Sequence, residues 1–68
     1  MNKPFQTELL SLLPRLRRFA FGLCGNEAEA DDLVQAGIER ALRAQDQWQD
    51  GTRMDSWMYR IIQNLWID

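Results

Sequence analysis

Chemistry at a protein surface needs a nucleophile, a base or a metal held in place, and this chain is poor in all three. It contains no histidine and a single cysteine, Cys24. Neither an intramolecular disulfide nor the usual zinc ligand sets can be assembled from that inventory. The carboxylates are dispersed over solvated helix ends and no glycine-rich phosphate loop is present, so nothing in the sequence reads as an enzyme. What it concentrates instead is recognition chemistry. Trp57, Arg60 and Asn64 fall at i, i+3 and i+7, one face of a helix, and Asp32, Gln35 and Glu39 repeat that spacing elsewhere. The second set makes a continuous polar face that a partner could read. Trp48 stands in the polar stretch QDQWQDGTR, an unusual place for a tryptophan. Packing is the more ordinary role for Trp57, and a small core hydrophobe near a helix end is the simplest reading of Cys24.

The elements that must position these residues belong to a small domain. A chain of 68 residues buries only about 60% of the surface its unfolded form exposes, so its core has to be economical. No apolar run approaches the roughly 20 residues that span a bilayer, and no charged-then-apolar leader is present, which predicts a cytoplasmic protein with no membrane insertion. The net charge of −2 argues against indiscriminate polyanion binding through a bulk field. Arg15, Arg17 and Arg18 cluster in the first third and Glu27, Glu29, Asp31 and Asp32 form an acidic block; the ordinary expectation is a solvated basic face paired with that block.

Leu9, Leu13, Leu16, Ala20 and Leu23 recur at steps of three and four and predict a first helix over 5–23. Pro14 inside it predicts a kink, or a short leading helix followed by a second with Pro14 in its first turn. Asn26 is the expected N-cap of the next helix, with Glu29 completing a capping box. That helix should run from Glu27 to about Ala44. Its apolar stripe is Ala30, Val34, Gly37 and Ala41, widened by Leu33, Ile38 and Leu42, and its small residues invite close approach of a neighbour. A loop over 45–53 follows. Thr52 or Asp55 can cap the third helix, in which Met58, Ile61, Ile62 and Leu65 are expected to face the core. With no repeats and no strand signal, the predicted fold is all-α, a compact three-helix bundle whose first helix is either kinked or split at Pro14.

The order LPRLRRFAFGLCGN, AEADDLVQAGIERAL, DQW and SWMYRIIQNLWID resembles region 2 of the sigma-70 family of bacterial sigma factors, most closely the extracytoplasmic-function (ECF) group. The resemblance covers about residues 9–68. It implies that the helix around DDLVQ docks on the clamp coiled coil of the largest catalytic subunit of RNA polymerase, through Asp31, Asp32, Gln35, Ile38 and Glu39. It further implies that the loop and third helix recognise the promoter minus-ten element, capturing an unstacked base of the non-template strand. The pocket region is then Trp48, Gln49, Asp50, Gly51, Thr52 and Arg53, with Arg60, Gln63 and Asn64 on the helix face toward DNA. An anti-sigma partner is also implied.

Those residue types suit that work. A base can be read on its Watson–Crick edge only after leaving the stack, at a cost of a few kcal/mol. Amides and backbone groups supply hydrogen bonds to the edge, and an aromatic ring offers a stacking surface worth about 1–3 kcal/mol. Aromatics and amides thereby replace bulk positive charge. Measured against the family, the chain reads as an isolated region 2, without the basic continuation of the last helix and without the second domain that reads the minus-thirty-five element. Ala36 and Gly37 stand where the family often has Glu-Thr, so one expected carboxylate is missing from the polymerase face. The alternative function is a sigma-like module that binds an anti-sigma factor without reading DNA.

Overall fold

Pro14 divides the first helical stretch in two. The computed structural model describes residues 5–49 and 51–67, with helices α1 (Phe5–Ser11), α2 (Leu13–Cys24), α3 (Glu27–Arg43) and α4 (Met54–Ile67), and a 3-10 turn at Gln45–Gln47. At the break, the Leu12 N–H donates to the Leu9 carbonyl at 3.1 Å, a tightened turn, and α2 opens with Leu16 N–H donating to the Leu12 carbonyl at 2.9 Å. Pro14 occupies the first turn of α2, where its missing N–H leaves no bond unmade. The tight turn also shifts the apolar register. Leu12 rather than Leu13 is buried with Leu9, Leu16 and Ala20, while Leu13 and Leu23 are half-buried at the margin.

Gly25 ends α2 in the left-handed region at φ 70°, its N–H bonded to the Phe21 carbonyl at 2.7 Å. One residue later Asn26 caps α3 as expected, its Oδ1 accepting from the Glu29 N–H at 2.9 Å. Only this half of the capping box forms among the described residues. Ala44 closes α3, and its acidic first turn and basic last turn (Glu27, Glu29; Arg40, Arg43) both suit the helix dipole.

The core is built from one stripe of each helix. The α3 stripe Ala30, Val34, Gly37 and Ala41 is buried as its spacing predicts, facing Leu9, Leu12, Leu16 and Ala20 on one side and Met54, Met58 and Ile62 of α4 on the other. Met54 was not anticipated, whereas Ile61 and Leu65 are half-buried rather than core. A full side-chain burial of this kind stabilises by about 1.5–3 kcal/mol, so five such residues (Leu9, Leu16, Met54, Met58, Ile62) carry much of the packing. Small residues in α3 let α4 approach closely: a Cβ on Gly37 would lie 2.8 Å from Ile62 Cγ1. Phe19 and Tyr59 stack at 4.5 Å between α2 and α4. Among the described residues no helix is long and apolar enough to cross a membrane.

Candidate functional site

The segment before α4 is held by backbone chemistry. The Thr52 N–H and hydroxyl both donate to the Gln49 carbonyl, at 3.2 and 2.7 Å, and Gly51 sits in that turn at φ 89°, a conformation side-chain-bearing residues avoid. Thr52 is therefore a turn clamp and not the cap of α4, which begins at Met54: among the described residues no N–H of that helix donates to its hydroxyl oxygen. Toward any ligand, that hydroxyl can only accept. The role of first-turn acceptor goes to Asp55 from inside the helix, its Oδ1 taking the Ser56 N–H at 2.7 Å.

Asp55 does more than that. Its buried carboxylate takes Arg53 in a two-point grip (Nε to Oδ1 3.2 Å, Nη2 to Oδ2 2.7 Å) and Arg15 Nη1 at 3.1 Å from α2. With Ser56 this fills all the acceptor positions a carboxylate offers. Hydrogen bonding from the Arg53 guanidinium chiefly holds the Asp55 carboxyl below the ordinary value of 3.8, against the opposing effect of burial. The expected pairing of Arg15 with the acidic block is thus corrected: Arg15 reaches forward 40 residues to Asp55. Among the described residues only Arg17 pairs with that block, at 3.8 Å from Asp31, an exposed pair worth little.

Beside this ion cluster, three aromatic rings meet. Trp48 lies 5.2 Å from Trp57 between ring centroids, and Phe5 of α1 packs edge-on to both, at 6.5 and 5.9 Å. Edge-to-face and tilted pairs at these distances are favourable geometries. Trp57 is accordingly a packing residue on one side, as its surroundings predict, yet both indoles remain half-buried and keep an outward edge. That edge forms one wall of an open cleft of about 270 Å³, lined by Gln47, Trp48, Gln49, Thr52, Arg53, Ser56, Trp57 and Arg60. The size is just under the roughly 300 Å³ at which small-molecule sites begin, room for one planar ring system.

Of the loop and α4 residues expected from the sequence to work together, Trp48, Gln49, Thr52, Arg53 and Arg60 converge on this cleft. Gly51 shapes the turn but does not line it. Gln63 and Asn64 are exposed on α4 beyond Arg60, outside the cleft, and Asp50 lies outside the described residues. Sequence reasoning missed Phe5, Gln47 and Ser56. Gln47 and Ser56 carried no signal, whereas Phe5, an aromatic at the start of an amphipathic run, was legible as apolar but not as a partner of residues more than forty positions away.

The second surface lies between α2 and α3. A groove of about 550 Å³ is lined by Leu13 and Arg17 on one bank and Asp31, Val34, Gln35, Ile38 and Glu39 on the other. Four of the five residues expected on the polymerase face share it; Asp32 is exposed on α3 outside the lining. At the far end of α2 the Cys24 thiol is half-buried and pushed above its ordinary range, by burial first and then by the Glu29 charge, so it is a poor nucleophile.

Comparison with known proteins decides which family carries these surfaces. The family profile described as "Sigma2 domain of PhyR" matches residues 9–63. The chain belongs to the ECF sigma factor region 2 family. Across 65 residues, 96% of the chain, it is 42% identical to the ECF RNA polymerase sigma factor EcfG of Rhodopseudomonas palustris (strain TIE-1). It is 39% identical over 54 residues, 79% of the chain, to the ECF RNA polymerase sigma factor SigE of Mycolicibacterium smegmatis (strain ATCC 700084 / mc(2)155). The aligned parts span 36% and 21% of those two proteins, so this sigma region 2 domain corresponds to about a third of the one and a fifth of the other. No solved structure matches the chain. Membership places it among non-catalytic regulatory proteins and accounts for the all-α fold with its divided first helix.

Proposed function

We propose that this sigma region 2 domain is a transcription initiation module that docks on the clamp coiled coil of the largest RNA polymerase subunit through α3. From there it recognises and helps to open the promoter minus-ten element with the cleft at the start of α4. The observation that carries this reading is the convergence of Trp48, Gln49, Thr52, Arg53 and Arg60, drawn from a turn and a helix, on one ring-sized cleft with an aromatic wall. A base leaving the stack meets the outward edges of Trp48 and Trp57, acceptors on Gln49 and Thr52, and two guanidinium groups. Gly51 belongs to the turn that presents them, and Asp50, outside the described residues, keeps its sequence assignment to the pocket region. Arg60, Gln63 and Asn64 continue the same side of α4 and extend the interface along the strand. On the other surface, Asp31, Asp32, Gln35, Ile38 and Glu39 present to the clamp an acidic bank with one amide and one aliphatic side chain. Such partners place the protein in the cytoplasm, and an anti-sigma factor covering one or both surfaces would hold it inactive.

The residue assignment is tested with Asn64→Ala. Its affinity for single-stranded DNA selected from a random library should fall by about 1–3 kcal/mol while polymerase binding is unchanged. Equal DNA binding by variant and parent would remove Asn64 from the interface.

A second reading, a sigma-like module that binds an anti-sigma factor without reading DNA, is favoured by one observation. Ala36 is exposed on α3 beside Gln35, leaving that face without a carboxylate the family often carries. Under this reading Trp48 serves only the Phe5–Trp57 packing, and the parent chain selects no sequence from the library.

A further inference from the structure

Arg15 has no place in the DNA-reading assignment, yet it shares a carboxylate with Arg53, which lines the cleft. Arg53 spends Nε and Nη2 on Asp55, and Arg15 spends Nη1. Each guanidinium has five N–H donors in a planar fork, so both retain donors directed away from the shared carboxylate. Those donors face solvent: the Arg15 and Arg53 side chains are 51% and 77% exposed, while that of Asp55 is 10% exposed. The carboxylate is saturated by its four hydrogen bonds and screened by its own partners. Two cations on one buried anion leave a net charge of +1, at one side of the cleft, in a chain whose net charge is −2. A structural ion pair needs one arginine. The second, delivered from α2, completes the carboxylate's hydrogen bonds and adds the surplus positive charge.

We propose that Arg15 and Arg53, joined through Asp55, form a clasp for a phosphodiester group of the strand whose base enters the cleft. The proposal rests on the DNA-reading function above and adds a residue and a role to it. Asp55 acts as a positioning residue, holding two planar forks at one place, and a tetrahedral phosphate is the anion that such forks bind with two parallel hydrogen bonds each. Prior fixation by Asp55 lowers the side-chain ordering that binding a phosphate otherwise costs. The clasp carries no base information and sets the register of the strand against Trp48.

The experiment is a salt series. Binding of the chain to a fluorescent pool of short, random-sequence single-stranded DNA is measured by anisotropy for the parent, Arg15→Gln and Arg18→Gln. Removing one arginine–phosphate interaction reduces the slope of log K against log salt by about 0.7 for single strands. Arg15→Gln is expected to show a reduction of about that size. Arg18→Gln, which removes the same charge one turn along α2 without touching Asp55, is expected to keep the parental slope. A parental slope for Arg15→Gln, or an equal reduction in both variants, overturns the clasp while leaving the DNA-reading function standing. No binding by the folded parent overturns both. A measurement that needs no variant uses inorganic phosphate alone: titration should move the side-chain Nε–H resonances of Arg15 and Arg53 and not that of Arg18, and an unmoved Arg15 signal contradicts the proposal.

Discussion

At the residue scale, Asp55 is the side chain on which the candidate site depends. It ties α2 to the turn before α4 through Arg15 and Arg53 and satisfies the Ser56 N–H within α4 itself. Because these partners favour its charged form, its folded value lies below the 3.8 of an ordinary aspartate. The unfolded chain therefore takes up this proton at a higher pH than the folded one does. The stabilisation is fully present above the ordinary value and is lost as pH falls through the depressed one. Asp55→Asn should accordingly lower the melting temperature at neutral pH and flatten the acid limb of the stability curve. Thermal unfolding followed from neutral pH into the acid range checks this, and an unchanged acid limb would show that the carboxylate stabilises nothing. None of this is legible in the sequence. Asp55 reads there as a cap candidate and Arg15 as part of a solvated face, because an ion pair 40 positions apart leaves no periodic trace.

At the element scale, the close approach of α3 and α4 rests on Gly37. An added Cβ would meet Ile62 Cγ1 at 2.8 Å, a methylene one bond beyond the β-branch and not a mobile chain end. Overpacking of this kind costs about 1–3 kcal/mol, against a gain of about 1 kcal/mol from replacing a mid-helix glycine. Gly37→Ala should therefore destabilise by up to about 2 kcal/mol, and Ile62→Ala in the same chain should relieve part of that loss. Strictly additive effects of the two substitutions in denaturant unfolding would contradict the packing account. Here the sequence is a good guide. The α3 stripe, the Asn26 cap and the break at Pro14 are local signals, set by residues within a turn or two of one another. The Leu12-for-Leu13 register slip escapes it because a tightened turn before the proline adds a phase shift that continuous helical periodicity does not contain.

At the scale of the whole molecule, α3 is shared between two surfaces. One edge packs with α4 and so supports the cleft, while the other forms a bank of the α2–α3 groove. Polymerase docking and DNA reading are in this proposal assigned to different faces of one small core, available together. Five of the nine expected DNA-side residues share the cleft, and four of the five expected polymerase-side residues share the groove. What the sequence reveals by itself is which residues are polar and on which helix face they lie. The meeting of Phe5 with Trp48 and Trp57 is not readable there, since it depends on how α1 folds back over the loop. The most direct test of this division of labour is calorimetric titration of the chain with the isolated clamp coiled coil of RNA polymerase, with Asp32→Lys/Gln35→Ala as the paired variant. Saturable binding that disappears in the variant is the predicted result; no binding by a parent shown to be folded, or undiminished binding by the variant, would contradict it.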